Sequence, residues 1–168
     1  MYRFVHVFIG FSLGLYLGTD LMNSVIYAFI GALGGYVPDI DLRFKHRKTL
    51  HNIFSLSISC ILIYLVLKLF LNQYFLSDLI SARFIVLSFG GGWLLHILLD
   101  SLTVRGVYIF YPLSNIRLRI PLFKSDSTIG NTLSLFLGFI FIYGWMVKTG
   151  LWIYIEVFLR YIDELLKT

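Results

Sequence analysis

Charge is scarce in this sequence. Asp, Glu, Lys and Arg make up 14% of its 168 residues, where soluble domains carry roughly a quarter. Set against 58% hydrophobic residues, that deficit excludes an ordinary water-soluble domain and points to a chain that crosses a membrane several times. Cysteine is nearly absent: Cys60 stands alone inside an apolar run. A lone thiol forms no intramolecular disulfide, so no oxidising compartment is implied, and it reads as a small buried hydrophobe. Repeats, low-complexity tracts and any break in composition are missing too, which leaves a single integral membrane domain over 1–168. The apolar N-terminus is followed by no clean small-x-small cleavage site, and a second apolar run begins within a few residues. The first run is therefore expected as a retained helix. Acids are fewer than bases, giving a formal charge of +5. Nucleic-acid binding is the disfavoured reading of that excess; Lys- and Arg-rich cytoplasmic loops are the favoured one.

Long apolar runs are what the chain has in abundance. A spanning helix needs about 20 such residues at about 1.5 Å each. Candidates lie at 4–18, 25–37, 53–71, 84–102 and 129–147. The first two are short and studded with Gly10, Gly14, Gly18, Gly31, Gly34 and Gly35. Small residues let helix backbones approach closely, so these two are expected as a tight hairpin turning at 19–24, and Gly90, Gly91 and Gly92 suggest similar packing for the fourth run. In the tail, Glu156, Arg160, Asp163, Glu164 and Lys167 share one helical face, opposite Leu151, Ile155, Phe158, Ile162 and Leu166. That is an amphipathic helix suited to the interface. The expected fold is an all-α polytopic bundle of about five transmembrane helices plus this C-terminal amphipathic helix.

Cations fix the orientation. Arg43, Lys45, Arg47 and Lys48 follow the second run, and Arg105, Arg117, Arg119 and Lys124 follow the fourth. The intervening loop, 72–83, carries only Arg83, with Asp78 nearby. By the positive-inside rule both basic loops are cytoplasmic, and Arg3 places the N-terminus there as well. All four histidines then fall at one face: His6 at the start of the first run, His46 and His51 before the third, His96 near the end of the fourth. Asp39, Asp41 and Asp100 join them.

Each motif is weak alone. His96 and Asp100 are spaced i, i+4 on a helix, one turn apart on one face, where they can share a metal or where the carboxylate can orient the imidazole. A helix-end pair facing water is the plainer reading, yet ionisable groups inside an apolar helix are costly and usually functional. Asp39 and Asp41 alternate in "PDID" and point the same way if that segment is extended, repelling each other unless a cation intervenes. Together the set predicts a metal site with mixed nitrogen and oxygen ligands from His6, Asp39, Asp41, His51, His96 and Asp100. Such donors suit a divalent transition metal, zinc first, with manganese or iron as alternatives. His46, Arg47 and Arg105 are the candidates for the chemistry beside it: His46 as ligand or general acid, the arginines as partners of phosphoryl oxygens. The remaining aromatic and basic residues of the second loop, Tyr108, Phe110 and Tyr111 among them, are read as anchors to anionic phospholipid headgroups.

In order along the chain, His6, Pro38-Asp39-Ile40-Asp41, His46-Arg47…His51, His96-Ile97-Leu98…Asp100…Thr103…Gly106, and Arg117…Arg119…Pro121 resemble the YdjM-like family up to about residue 131. Its members are described as LexA-binding, inner-membrane-associated, predicted metal-dependent hydrolases, with phospholipase-like action suggested. The chain departs from the family pattern at Lys48, Leu50 and Asn52, where Gly, Thr and Ser are usual, and at Ser134, where an acid often stands. The resemblance implies a membrane-embedded metal-dependent hydrolase acting on a phosphoester of a lipid or lipid-linked substrate at the cytoplasmic leaflet. Two other classes use the same residues: a transport or sensor protein handling metal or protons, and a non-catalytic scaffold whose basic loops bind lipid or a regulator.

Overall fold

Capping chemistry sets where the apolar runs become helices. The computed structural model describes residues 1–43, 48–73 and 81–166. The expected hairpin is formed by α1 (Arg3–Leu17) and α2 (Leu21–Tyr36). Asp20 makes the turn: its carboxylate accepts the Asn23 N–H at 3.0 Å, capping α2. That same bond holds the Asp20 carboxyl below its ordinary pKa. A 3-10 helix (Val37–Arg43) extends α2. Asn52 caps α3 (Ile53–Gln73) by accepting from the Ser55 N–H at 2.8 Å, so the departure from serine at this position keeps a good capping residue. Next come α4 (Ala82–Ser101) and α5 (Thr128–Lys148), and then α6 (Leu151–Leu166), which starts after Gly150 at a φ of +73°.

Four helices are long and apolar enough to cross a bilayer, with spans of 18 to 21 residues in α3, α4, α5 and in α2 together with its 3-10 extension to Ile40. At about 1.5 Å per residue these reach about 30 Å, the hydrocarbon thickness. The fifth, α1, has 15 residues and is packed into the bundle. Much of the apolar surface points outward: Leu62, Leu65 and Leu69 of α3 are exposed, which suits lipid and would be untenable in water. This is a helical membrane bundle.

Glycine sets the packing at its centre. A Cβ on Gly31 of α2 would collide with the Gly10 carbonyl of α1, and one on Gly92 of α4 would collide with the Gly31 carbonyl. A Cβ on Gly35 would strike the His6 carbonyl. The backbone of α2 is thus pressed between α1 and α4 as small-residue packing in lipid allows. Gly90 and Gly91, by contrast, face side chains, Cys60 and Leu13.

The loop 102–127 folds back over the end of the bundle. Val107 and Leu118 exchange backbone hydrogen bonds of 3.0 and 2.8 Å, and Val104 N–H donates to Phe123 C=O at 2.9 Å. Val107 is buried with Leu56, Trp93 and Ile97, and Ile53 N–H donates to Ile109 C=O at 3.0 Å, so the loop is tied to the start of α3 and the C-terminal half of α4. Arg117 donates to the Tyr108 hydroxyl, and that bond lowers the Tyr108 pKa.

Candidate metal centre

Alternating helix directions bring one end of each of four elements together: the start of α1, the 3-10 helix after α2, the residues before α3, and the end of α4. Each delivers a buried ionisable group. His6, His51, His96 and Asp100 are almost completely enclosed, and Asp39 is 7% exposed. The His6 and His96 rings stack with centroids 3.7 Å apart, and the His51 ring meets His96 edge-on at 5.1 Å. Around them the donor atoms converge. His6 Nε2 lies 3.4 Å from Asp100 Oδ1, His96 Nε2 lies 3.6 Å from Asp39 Oδ1 and 3.8 Å from Asp100 Oδ2. His51 Nε2 lies 3.7 Å from Asp100 Oδ2 and 3.9 Å from Asp39 Oδ1. Two overlapping triads result, His6–His96–Asp100 and Asp39–His51–His96, each with ligand atoms within 4.8 Å of one another.

The separations decide what the cluster suits. Most exceed the range of a direct hydrogen bond, 2.7–3.2 Å for N–H···O. Two ligands about 2.1 Å from a tetrahedral cation stand about 3.4 Å apart, close to what these atoms show. His96 supplies a second test. Its Nδ1 is 2.7 Å from the Gly35 carbonyl, which accepts only an N–H, so in the neutral ring Nε2 carries the lone pair. That nitrogen is buried with no hydrogen-bond partner among the described residues. A metal-binding histidine commonly donates its other N–H to a backbone carbonyl, which fixes tautomer and ring orientation. The residues fit a divalent cation held by imidazole and carboxylate.

The predicted residues divide as follows. His6, Asp39, His51, His96 and Asp100 come together. His46 and Arg47 lie outside the described residues. Asp41 belongs to the 3-10 helix, so the extended alternation that would have paired it with Asp39 is absent, and its side chain lies outside what is described. A 3-10 helix turns about 120° per residue, which separates positions i and i+2. Arg105 is exposed, lining a cleft that also touches Met1, whose nitrogen is 2.9 Å from Asp100 Oδ1. Ser134, the other departure from the family pattern, donates to the Gly130 carbonyl at 2.8 Å and belongs to neither triad.

Two contributors carried no legible signal as such. The Gly35 carbonyl is a backbone atom, visible in sequence only as a glycine pair near a helix end. Arg3, read for topology alone, has its Nε 3.6 Å from Asp39 Oδ2 while its side chain stays 53% exposed over Tyr36. It covers the least enclosed acid of the cluster.

Comparison with known proteins gives one positive finding. The family model described as "YdjM inner membrane protein" matches residues 1–162. No curated protein and no solved structure matches.

Proposed function

The chain belongs to the YdjM inner membrane protein family, and on that footing we propose that it is a metal-dependent hydrolase of phosphoesters, acting on a lipid or lipid-linked substrate at the cytoplasmic face. The observation that carries this reading is the convergence of His6, Asp39, His51, His96 and Asp100 at separations matching the edges of a metal coordination shell. A divalent cation there, zinc first, would supply Lewis acidity toward a phosphoryl oxygen and toward water. The chain's own residues do the rest. Asp100 presents one oxygen toward His6 and the other toward His51 and His96, so it ties both triads into one unit. The Gly35 carbonyl holds His96 in the tautomer that faces inward. Asp39, at the rim, is the cluster's carboxylate nearest to solvent and suited to take a proton from attacking water. Arg105 lines the neighbouring cleft, which supports a role in meeting phosphoryl charge, and His46 is the candidate for protonating the leaving oxygen.

The cytoplasmic placement rests on Arg105, Arg117, Arg119 and Lys124 of the loop 102–127, which lies at this end of the bundle. The near-complete burial of the five ligands favours a second reading, a metal-sensing or metal-handling protein without turnover. Turnover separates the two. Protein purified without added metal should carry about one or more equivalents of transition metal and should hydrolyse a phosphoester panel, soluble and lipidic. His96→Ala and chelation should each abolish both properties. Activity in metal-free protein would overturn the mechanism, and metal-loaded protein inert toward every phosphoester would favour the sensor.

A further inference from the structure

We infer that two cavities beside the metal centre form one binding site for a single membrane phospholipid, its phosphate in the polar cavity and an acyl chain in the apolar one. This rests on the hydrolytic reading of the centre only in treating the occupant as substrate. The polar cavity, about 470 Å³, is lined by Tyr2, Arg105, Lys124, Ser125 and Asp126 among others. That volume lies within the usual range for ligand sites. Arg105 and Lys124 sit one residue beyond the paired Val104 and Phe123, so the 2.9 Å backbone bond between those two sets the cations on adjacent segments. Among the described residues neither cation has an ion-pair partner. An arginine fork and a lysine ammonium are donors that phosphate oxygens accept.

The second cavity, about 230 Å³, is walled by Leu99, Leu102, Phe123, Leu133 and Leu137, with Met1 and Ser134 at its edge. It runs between the end of α4 and the first turns of α5, along helices that span the membrane. Met1 lines both cavities, and the boundary is sharp: Phe123 faces the apolar groove and Lys124 the polar cleft. Leu99, in the groove wall, is followed directly by Asp100 of the metal centre. The change from greasy to cationic lining therefore occurs beside the cluster. A phospholipid carries its phosphoester at the same kind of boundary. A soluble phosphoester would use the cleft alone.

The test is binding to the full chain, delipidated in mild detergent, read by native mass spectrometry with dioleoyl phosphatidic acid and, separately, sn-glycerol 3-phosphate. Wild type should retain phosphatidic acid far more tightly than glycerol phosphate. Arg105→Gln with Lys124→Gln should weaken phosphatidic acid roughly 100-fold, about tenfold for each charged contact removed. Leu137→Trp should weaken phosphatidic acid while leaving glycerol phosphate unchanged, and Lys68→Gln, an exposed cation on α3, should change neither. A thermal-unfolding midpoint and size-exclusion profile equal to wild type certify that each variant is folded. Phosphatidic acid retained equally by all variants overturns the proposal, as does equal affinity for the lipid and for glycerol phosphate. Because binding is read without turnover, an inert protein that holds the lipid this way sinks only the hydrolase reading. Full turnover with lipid binding insensitive to these variants sinks only this one.

Discussion

At the scale of single residues, the centre depends on side chains whose charge and tautomer are fixed by neighbours. Asp100 touches both triads, and Asp100→Asn keeps its shape while removing its charge. Losing a supporting partner in a metal site costs roughly 10- to 100-fold in affinity, so loss of this ligand should exceed that range in a competitive chelator titration. Retained affinity would mean Asp100 is not a ligand. At the far end of the bundle, Asp20 offers a pH-dependent cap. Its pKa is lowered in the fold by Asn23, so its stabilisation is present above the ordinary carboxylate value of about 4 and is lost as pH falls through the lowered one. Amide protection factors at residues 21–24, taken relative to the intrinsic exchange rate at each pH, should fall in acid for the native chain, and Asp20→Asn, neutral throughout, should remove that acid dependence. The legibility of these residues follows from their chemistry. His96 and Asp100 could be read because ionisable groups one turn apart inside an apolar helix are hard to explain otherwise. The Gly35 carbonyl that orients His96 could not, since a backbone acceptor has no residue type.

At the scale of elements, α2 is the part that positions the centre. It places Gly35 against α1 at His6 and under α4 at His96, so the fit of three helices and the aim of two ligands are one problem. Gly35→Ala forces a methyl onto the His6 carbonyl, an overpacking expected to cost about 1–3 kcal/mol. Thermal unfolding should show the loss, and metal occupancy should fall with it. Gly150→Ala is the contrast: its Cβ would meet nothing within 4 Å, and its left-handed backbone should cost about 1 kcal/mol while metal occupancy stays whole. Metal lost equally in both variants would contradict the coupling of α2 to the centre. The glycines of the first hairpin were legible because close helix approach in lipid demands them. The 3-10 turn at "PDID" was not. Alternating acids suit an extended segment as well as a tight helical one, and the geometry is set by where α2 ends and how Asp39 must face the cluster.

At the scale of the molecule, alternating helices bring four element ends to one face, and the ionisable residues of the centre sit at those ends. The order of spans was legible because apolar length and loop charge are properties of composition. The apolar cavity beside α4 and α5 was not, since it depends on where the loop 102–127 lies down. In a Cys60→Ser background, Ser114→Cys in that loop should react with an impermeant thiol reagent only from the cytoplasmic side, and Thr19→Cys in the α1–α2 turn only from the other. Reversed labelling would move the centre to the opposite leaflet. The most direct measurement of the central claim is X-ray absorption spectroscopy on full-length protein purified without added metal. The predicted spectrum shows nitrogen and oxygen ligands at about 2.0–2.2 Å with imidazole scattering from more than one histidine, lost in His96→Ala. A chain with no bound metal, or metal without histidine ligands, would contradict it.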